Sequence, residues 1–340
     1  MLPQPVPHRE ISSGVHWVQR NRVQDAVLTC LLALLLPALC AVASKADRTL
    51  VLDSLTGQIP SRPEQALMGS GFARTVSGMK GVEREQAIRA ELSRGNIPEF
   101  LRDFKPVRLS ATNSAGETIT ATIFVMPDYL AIGSDRDFLY IPMSLDSAID
   151  IVTRFGCILP TTRMVDAIYE QSACRLQPQP LLPGPQMRST AYYCRHSELI
   201  RGQFRALGLS AGTLVSGHKK DLVLTNRLCR REGRVAIYGW HRCPGSPIQP
   251  LSIVHGARYA DYSHGVRLVS AIVLIDGEGR SIYDVLEDPR LAPVLSDEGP
   301  IRDVRRIMAT GADRHARISP PSGLFSTRPV PARPANDFPW

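Results

Sequence analysis

The chain has 340 residues, enough for one large domain or two small ones, and 44% of them are hydrophobic, as in a folded globular protein. Its formal net charge of +8 draws polyanions: nucleic acid, anionic lipid or acidic wall polymers. No Lys/Arg stripe with interleaved aromatics accompanies that charge, which sets nucleic acid aside as a partner.

Arg20 and Arg22 precede residues 26–43, an uncharged run that ends in Ala41-Val42-Ala43. The small-x-small ending predicts a secretory signal peptide over residues 1–43. Left uncleaved, the run is at the lower length limit for a membrane anchor, and only then is a membrane a partner. Either way the expected location is periplasmic or extracellular. The exported part keeps Cys157, Cys174, Cys194, Cys229 and Cys243, an odd number that leaves at least one thiol unpaired. Cys174 and Cys194 flank a proline-rich loop and are placed to bridge.

Residues 44–103 read as a helical N-terminal segment, with helices over 62–76 and 82–94 and Gly95 as a stop. From residue 104 to 144 the period changes to two, which predicts a small antiparallel sheet with strands at 107–109, 118–125, 129–132 and 138–141. Asp135, Arg136 and Asp137 read as a solvated hairpin tip. Residues 145–309 form an α+β domain with helices over 146–155, from Thr161 or Thr162 to 172, and over 197–207 capped by Ser197. His196 reads as a helix-start residue. A continuous apolar strand is expected at 266–275, central in its sheet, then a short helix at 281–286. Residues 310–340 are Pro/Arg-rich and read as a disordered tail. The fold class is α+β: a helical N-terminal part packed on a mixed domain with antiparallel sheet and a central strand at 266–275.

Four of the eight histidines, His218, His241, His255 and His264, fall between residues 213 and 269. Strands at 214–225 and 234–241 form a hairpin in which Thr225 faces Arg234 and Asp221 faces Tyr238. Regular alternation then sets His218 opposite His241 on one face with Leu222, Leu224, Val235 and Ile237. Lys219 and Lys220 either bind an acidic group or face solvent. In the run Tyr259-Ala260-Asp261-Tyr262-Ser263-His264-Gly265, Asp261 or Tyr259 is placed to orient His264 or His255.

Three functional readings follow. Cys157 lies between two helices, and a helix N-terminus favours the nucleophilic thiolate. A cysteine followed by a helix and then by histidine-bearing strands, with GHKKDLVL and RVAIYGWH as the strand pair, resembles the NlpC/P60 and papain-like cysteine hydrolases over residues 157–269. That resemblance implies an exported hydrolase cutting an amide or peptide bond in peptidoglycan without a cofactor. Cys157 would attack, His218, His241 or His264 would be the base, and Asp261 or Tyr259 the orienting group. The second reading is a zinc hydrolase with ligands from His218, His241, His255 and His264, joined by Asp221 or Asp261. His218-x-x-Asp221 and Tyr-Gly-Trp-His241 resemble the D-Ala-D-Ala carboxypeptidase type of metallopeptidase. The third is a non-catalytic module that grips peptidoglycan or another acidic envelope polymer. No G-x-S-x-G, P-loop, dinucleotide fingerprint or H-E-x-x-H is present.

Overall fold

The structure is a computed structural model that describes residues 58–113 and 115–309. The expected signal segment at 1–43 and tail at 310–340 lie outside the described residues. The fold is α+β, with helices packed on antiparallel sheet.

Two helices open the chain, α1 (Gly69–Thr75) and α2 (Gly81–Ser93). The helix expected over 62–76 forms only in its second half. Its start is fixed by Asp137, whose carboxylate accepts from Ser70 N and Ser70 Oγ at 3.0 and 2.6 Å. Asp135 likewise accepts from Glu99 N and Phe100 N. These aspartates therefore cap neighbouring backbone, where the sequence suggested a merely solvated tip. Gly95, at φ +79°, ends α2 as expected, and a Cβ there would meet Pro60 O at 2.0 Å.

The main sheet holds β1 (Lys105–Thr112), β2 (Thr118–Val125), β5 (Cys157–Ile158), β12 (Val269–Ser270), β13 (Ile272–Ile275) and β14 (Glu278–Ser281). Its central member is β2, which pairs with β1, β12 and β13. The continuous central strand expected at 266–275 is instead two short strands broken at Ala271, whose N–H bonds to Gly156 O. Residues 104–144 are consequently no separate sheet unit, because β2 is completed by strands from residues 269–275. One hydrophobic cluster runs from Ile59 to Met308 through all these elements. A two-stranded ribbon, β3 (Ala131–Gly133) with β4 (Phe138–Tyr140), lies beside it in sequence.

Helix α3 (Leu145–Arg154) is capped by Ser144, whose side chain accepts from Ser147 N. Helix α4 (Thr162–Gln171) is capped in the same way by Thr161. Helix α5 (Thr190–Ala206) starts seven residues before the expected position, at the Ser189 cap. His196 and Ser197 are therefore mid-helix and fully buried, and neither marks its start. All five cysteines among the described residues are free, so the expected Cys174–Cys194 bridge is not formed.

The histidine-bearing segment builds a second sheet of β8 (Lys220–Leu222), β9 (Ile237–Cys243), β10 (Ser246–Ser252) and β11 (His264–Gly265), in the order β10-β9-β8-β11. The strand expected over 214–225 is broken. Its first part, β7 (Val215–Ser216), leaves to pair with β6 (Cys174–Arg175), and Gly217 at φ +94° makes the bend.

Candidate active site

The site's geometry starts from the β8–β9 register. Lys220 pairs with Gly239, Asp221 with Tyr238 and Leu222 with Ile237, the register that alternation predicted. Alternation then fails. Tyr238 and His241 are three positions apart and should face opposite ways, yet both bond the Asp166 carboxylate on α4, at 2.9 Å from each. The reset occurs at Gly239 (φ +106°) and Trp240 (φ +58°). A positive φ at tryptophan is a strained geometry worth roughly 1–3 kcal/mol. It turns the indole to the face of Lys220, whose ammonium lies 5.0 Å from the ring centroid. His218 and His241 accordingly do not share a face, as the sequence had them doing.

His218 enters the interior instead. Its Nε2 is 3.0 Å from Asp128 Oδ1, and Tyr140 OH donates to Asp128 Oδ2 at 2.5 Å. Burial pushes the imidazole pKa down against the opposing pull of Asp128, so the ring is neutral. Beside it Tyr129 OH donates to Asp221 Oδ2 at 2.7 Å. Burial raises the Asp221 pKa to about 6, with Arg267 and the Tyr129 bond opposing. Arg267 is itself buried and donates to Met126 O and Val215 O.

Lys219 does not face solvent. It is 1% exposed, donates from Nζ to Tyr262 O at 2.6 Å and lies 3.1 Å from His196 Nδ1. Burial lowers its pKa to about 7, with Asp261 and Asp128 opposing. These groups bond one another in the interior and so hold the fold, although His218 Nδ1 and His196 Nε2 are left without a partner among the described residues.

His255 and His264 differ. They sit on the Lys220 face of the second sheet, since His264 of β11 pairs in register with Lys220. Asp261 Oδ1 accepts from Ser263 N and Ser263 Oγ at 2.8 and 2.6 Å, and Oδ2 accepts from Tyr259 OH at 2.9 Å. Burial opposes the Asp261 anion, but His264 and the Ser263 donors hold the carboxyl below its usual range. His264 Nε2 is 4.0 Å from Asp261 Oδ2, beyond hydrogen-bond reach. Both ring nitrogens of His264 are buried without a partner among the described residues. Burial drives this imidazole's pKa down despite the nearby carboxylate, so it is neutral. His255 stacks on Tyr259 at 4.0 Å and 9°, and its ring centroid is 6.3 Å from that of His264. Burial with the Asp261 charge pushes the Tyr259 hydroxyl up to about 12. Tyr259 and His255 are half-buried, so the stack covers His264 on its way to solvent.

Cys157 lies apart from this cluster. It pairs with Ser270 at the edge of the main sheet, is 1% exposed, and its sulfur contacts Phe155 O at 3.4 Å. Burial raises its thiol pKa, the opposite of what a nucleophile needs. The Cys157–histidine pair expected from sequence is not formed: His218 is taken by Asp128, His241 by Asp166, and His264 stands beside Asp261. The four histidines proposed as zinc ligands likewise fall in three settings. Among the described residues no three His, Cys, Asp or Glu side chains converge in a way that could hold a metal ion.

Asp128, Asp166, Trp240 and Arg267 are polar or aromatic members of these networks that sequence reasoning did not single out, and His196 it read only as a helix-start residue. Only Trp240 carried a signal, through the Tyr-Gly-Trp-His run. Comparison with protein-family models, curated proteins and solved structures returned no match.

Proposed function

We propose that the chain is an exported hydrolase of the cell envelope, acting on an amide bond of an acidic polymer such as peptidoglycan, with the Tyr259–Asp261–His264–Lys220 cluster as its centre. One observation carries this reading: a neutral imidazole, His264, with two unpartnered nitrogens beside a low-pKa carboxylate. Unsatisfied buried donors and acceptors are rare, and at a polar cluster they mark a seat for a ligand or water. In this scheme His264 takes the proton of an attacking water, the water oxygen bonds to the amide carbon, and the proton passes to the leaving nitrogen. Asp261 steadies the imidazolium as it forms. The Lys220 ammonium on the paired strand offsets charge on the carbonyl oxygen. The +8 charge supports an acidic substrate, and the form of residues 1–43 supports export.

The test is the release of new amine ends from purified peptidoglycan. The wild type and Cys157→Ala are expected to release them equally, and His264→Gln to slow release by about 10²-fold or more. Loss of activity in Cys157→Ala, or full activity in His264→Gln, overturns the assignment.

One observation favours a second reading. The His264 side chain is 0% exposed beneath the His255–Tyr259 stack, as in a binding module that uses only the rim. That reading expects co-sedimentation with wall material and no new ends.

A further inference from the structure

A cavity of about 330 Å³ opens between the starts of two long helices. Lys80, Gly81 and Arg84 line it from α2, and Arg188, Ser189 and Thr190 from the start of α5. The thirteen-residue α2 has no side-chain cap on its first turn, because its N-cap is Lys80. The seventeen-residue α5 begins at the same space, its first turn capped by the Ser189 side chain, which accepts from Tyr192 N. Helix N-termini present N–H groups and partial positive charge. Three cationic side chains line the cavity and no acidic one does. Glu83, in the first turn of α2, is not among the lining residues.

Arg84 supplies the independent observation. It is 7% exposed, yet its guanidinium meets only neutral groups: Nη1 donates to Arg188 O at 2.8 Å, Nη2 to Tyr193 OH at 3.2 Å, and its carbon lies 4.9 Å from the Tyr193 ring centroid. Its Nε has no acceptor among the described residues. A buried guanidinium is normally matched by an anion, because leaving its charge uncompensated costs several kcal/mol. Here the wall of the cavity provides none.

We propose that this cavity binds a phosphate group. The uncapped start of α2 and three cationic residues suit a doubly charged tetrahedral oxyanion, and guanidinium–phosphate bonds are strong and directional. The site adjoins the imidazole cluster, since the Arg188 guanidinium lies 5.4 Å from the Tyr259 ring and Tyr193 OH donates to Ala260 O. A phosphate held here is next to the proposed centre. The phosphate comes either from the medium or from a phosphodiester wall polymer, and the polymer source rests on the envelope-hydrolase reading above.

The full exported chain is titrated with inorganic phosphate and with poly(glycerol phosphate), followed by calorimetry. Saturable one-to-one binding is expected, weakened about tenfold or more in the exposed-residue double variant Lys80→Met/Arg188→Met. Arg84→Met should do the same wherever its circular dichroism matches the wild type. Tighter binding of the polymer assigns the polymer source; equal or tighter binding of inorganic phosphate assigns the free ion. Absence of saturable phosphate binding, or binding indifferent to the double variant, overturns the proposal. Phosphate binding without peptidoglycan cleavage would sink the hydrolase reading alone, and cleavage without phosphate binding would sink this one alone.

Discussion

Replacing Lys219 with methionine should change how stability depends on pH. The ammonium is buried against Tyr262 O and His196, and its pKa falls from 10.5 to about 7. Between those values the unfolded chain holds a proton that the folded chain has released, so raising the pH favours folding. The penalty is full below pH 7 and vanishes above 10.5. At about 1.4 kcal/mol per unit, the whole shift corresponds to roughly 5 kcal/mol, and the span from pH 7.5 to 9.5 to roughly 2–3 kcal/mol. Methionine matches the stem and cannot titrate. It also leaves Tyr262 O without its donor, a loss independent of pH that moves the curve vertically. The assay is urea unfolding of both proteins at half-unit steps from pH 7 to 9.5. The wild type should gain roughly 2–3 kcal/mol relative to Lys219→Met across that range. Parallel profiles would refute the assignment of a depressed pKa to Lys219.

Cys157 should resist iodoacetamide in the folded protein and react only in denaturant, whereas exposed Cys243 reacts at once; mass spectrometry of the alkylated peptides checks this. Gly265→Ala should destabilise by about 1–3 kcal/mol or more, measured by denaturant midpoint, because the new methyl meets Tyr129 Cδ1 at 2.5 Å and Lys219 Cβ at 2.8 Å. Asp128→Ala removes the acceptor of His218, Tyr140 OH and Tyr129 N and should cost about 4–9 kcal/mol, three buried bonds to a charged group, in the same measurement.

Local signals carried far in this chain. Strand β2 spans the residues that its alternation marks, 118–125, and Thr161 caps its helix as a short polar residue before an apolar repeat does. The β8–β9 register was legible too, because closing the hairpin with Thr225 facing Arg234 sets Asp221 opposite Tyr238. What failed was non-local or conformational. Gly217 and Gly239 look like ordinary strand glycines, yet their positive φ angles break one strand and reset the pleat of the other, sending His218 and His241 to different neighbours. Lys219 reads as a surface residue because nothing nearby in sequence reveals His196, twenty-three positions away, as its partner. Cys157 looked catalytic from its place between helices, but its two residues form an edge strand whose side chains enter the core. Of the candidate site, the 259–264 run was legible as a polar cluster; the buried supports around it were not.

Nitrogen-15 chemical shifts of the histidine side chains, followed as soluble peptidoglycan fragments are added, test the central assignment most directly. The His264 ring nitrogens should show a saturable shift, with a smaller one at His255, while the Asp128-bound His218 and Asp166-bound His241 hold still. An unmoved His264 under saturating fragment, with the shift falling on His218 or His241 instead, would contradict it.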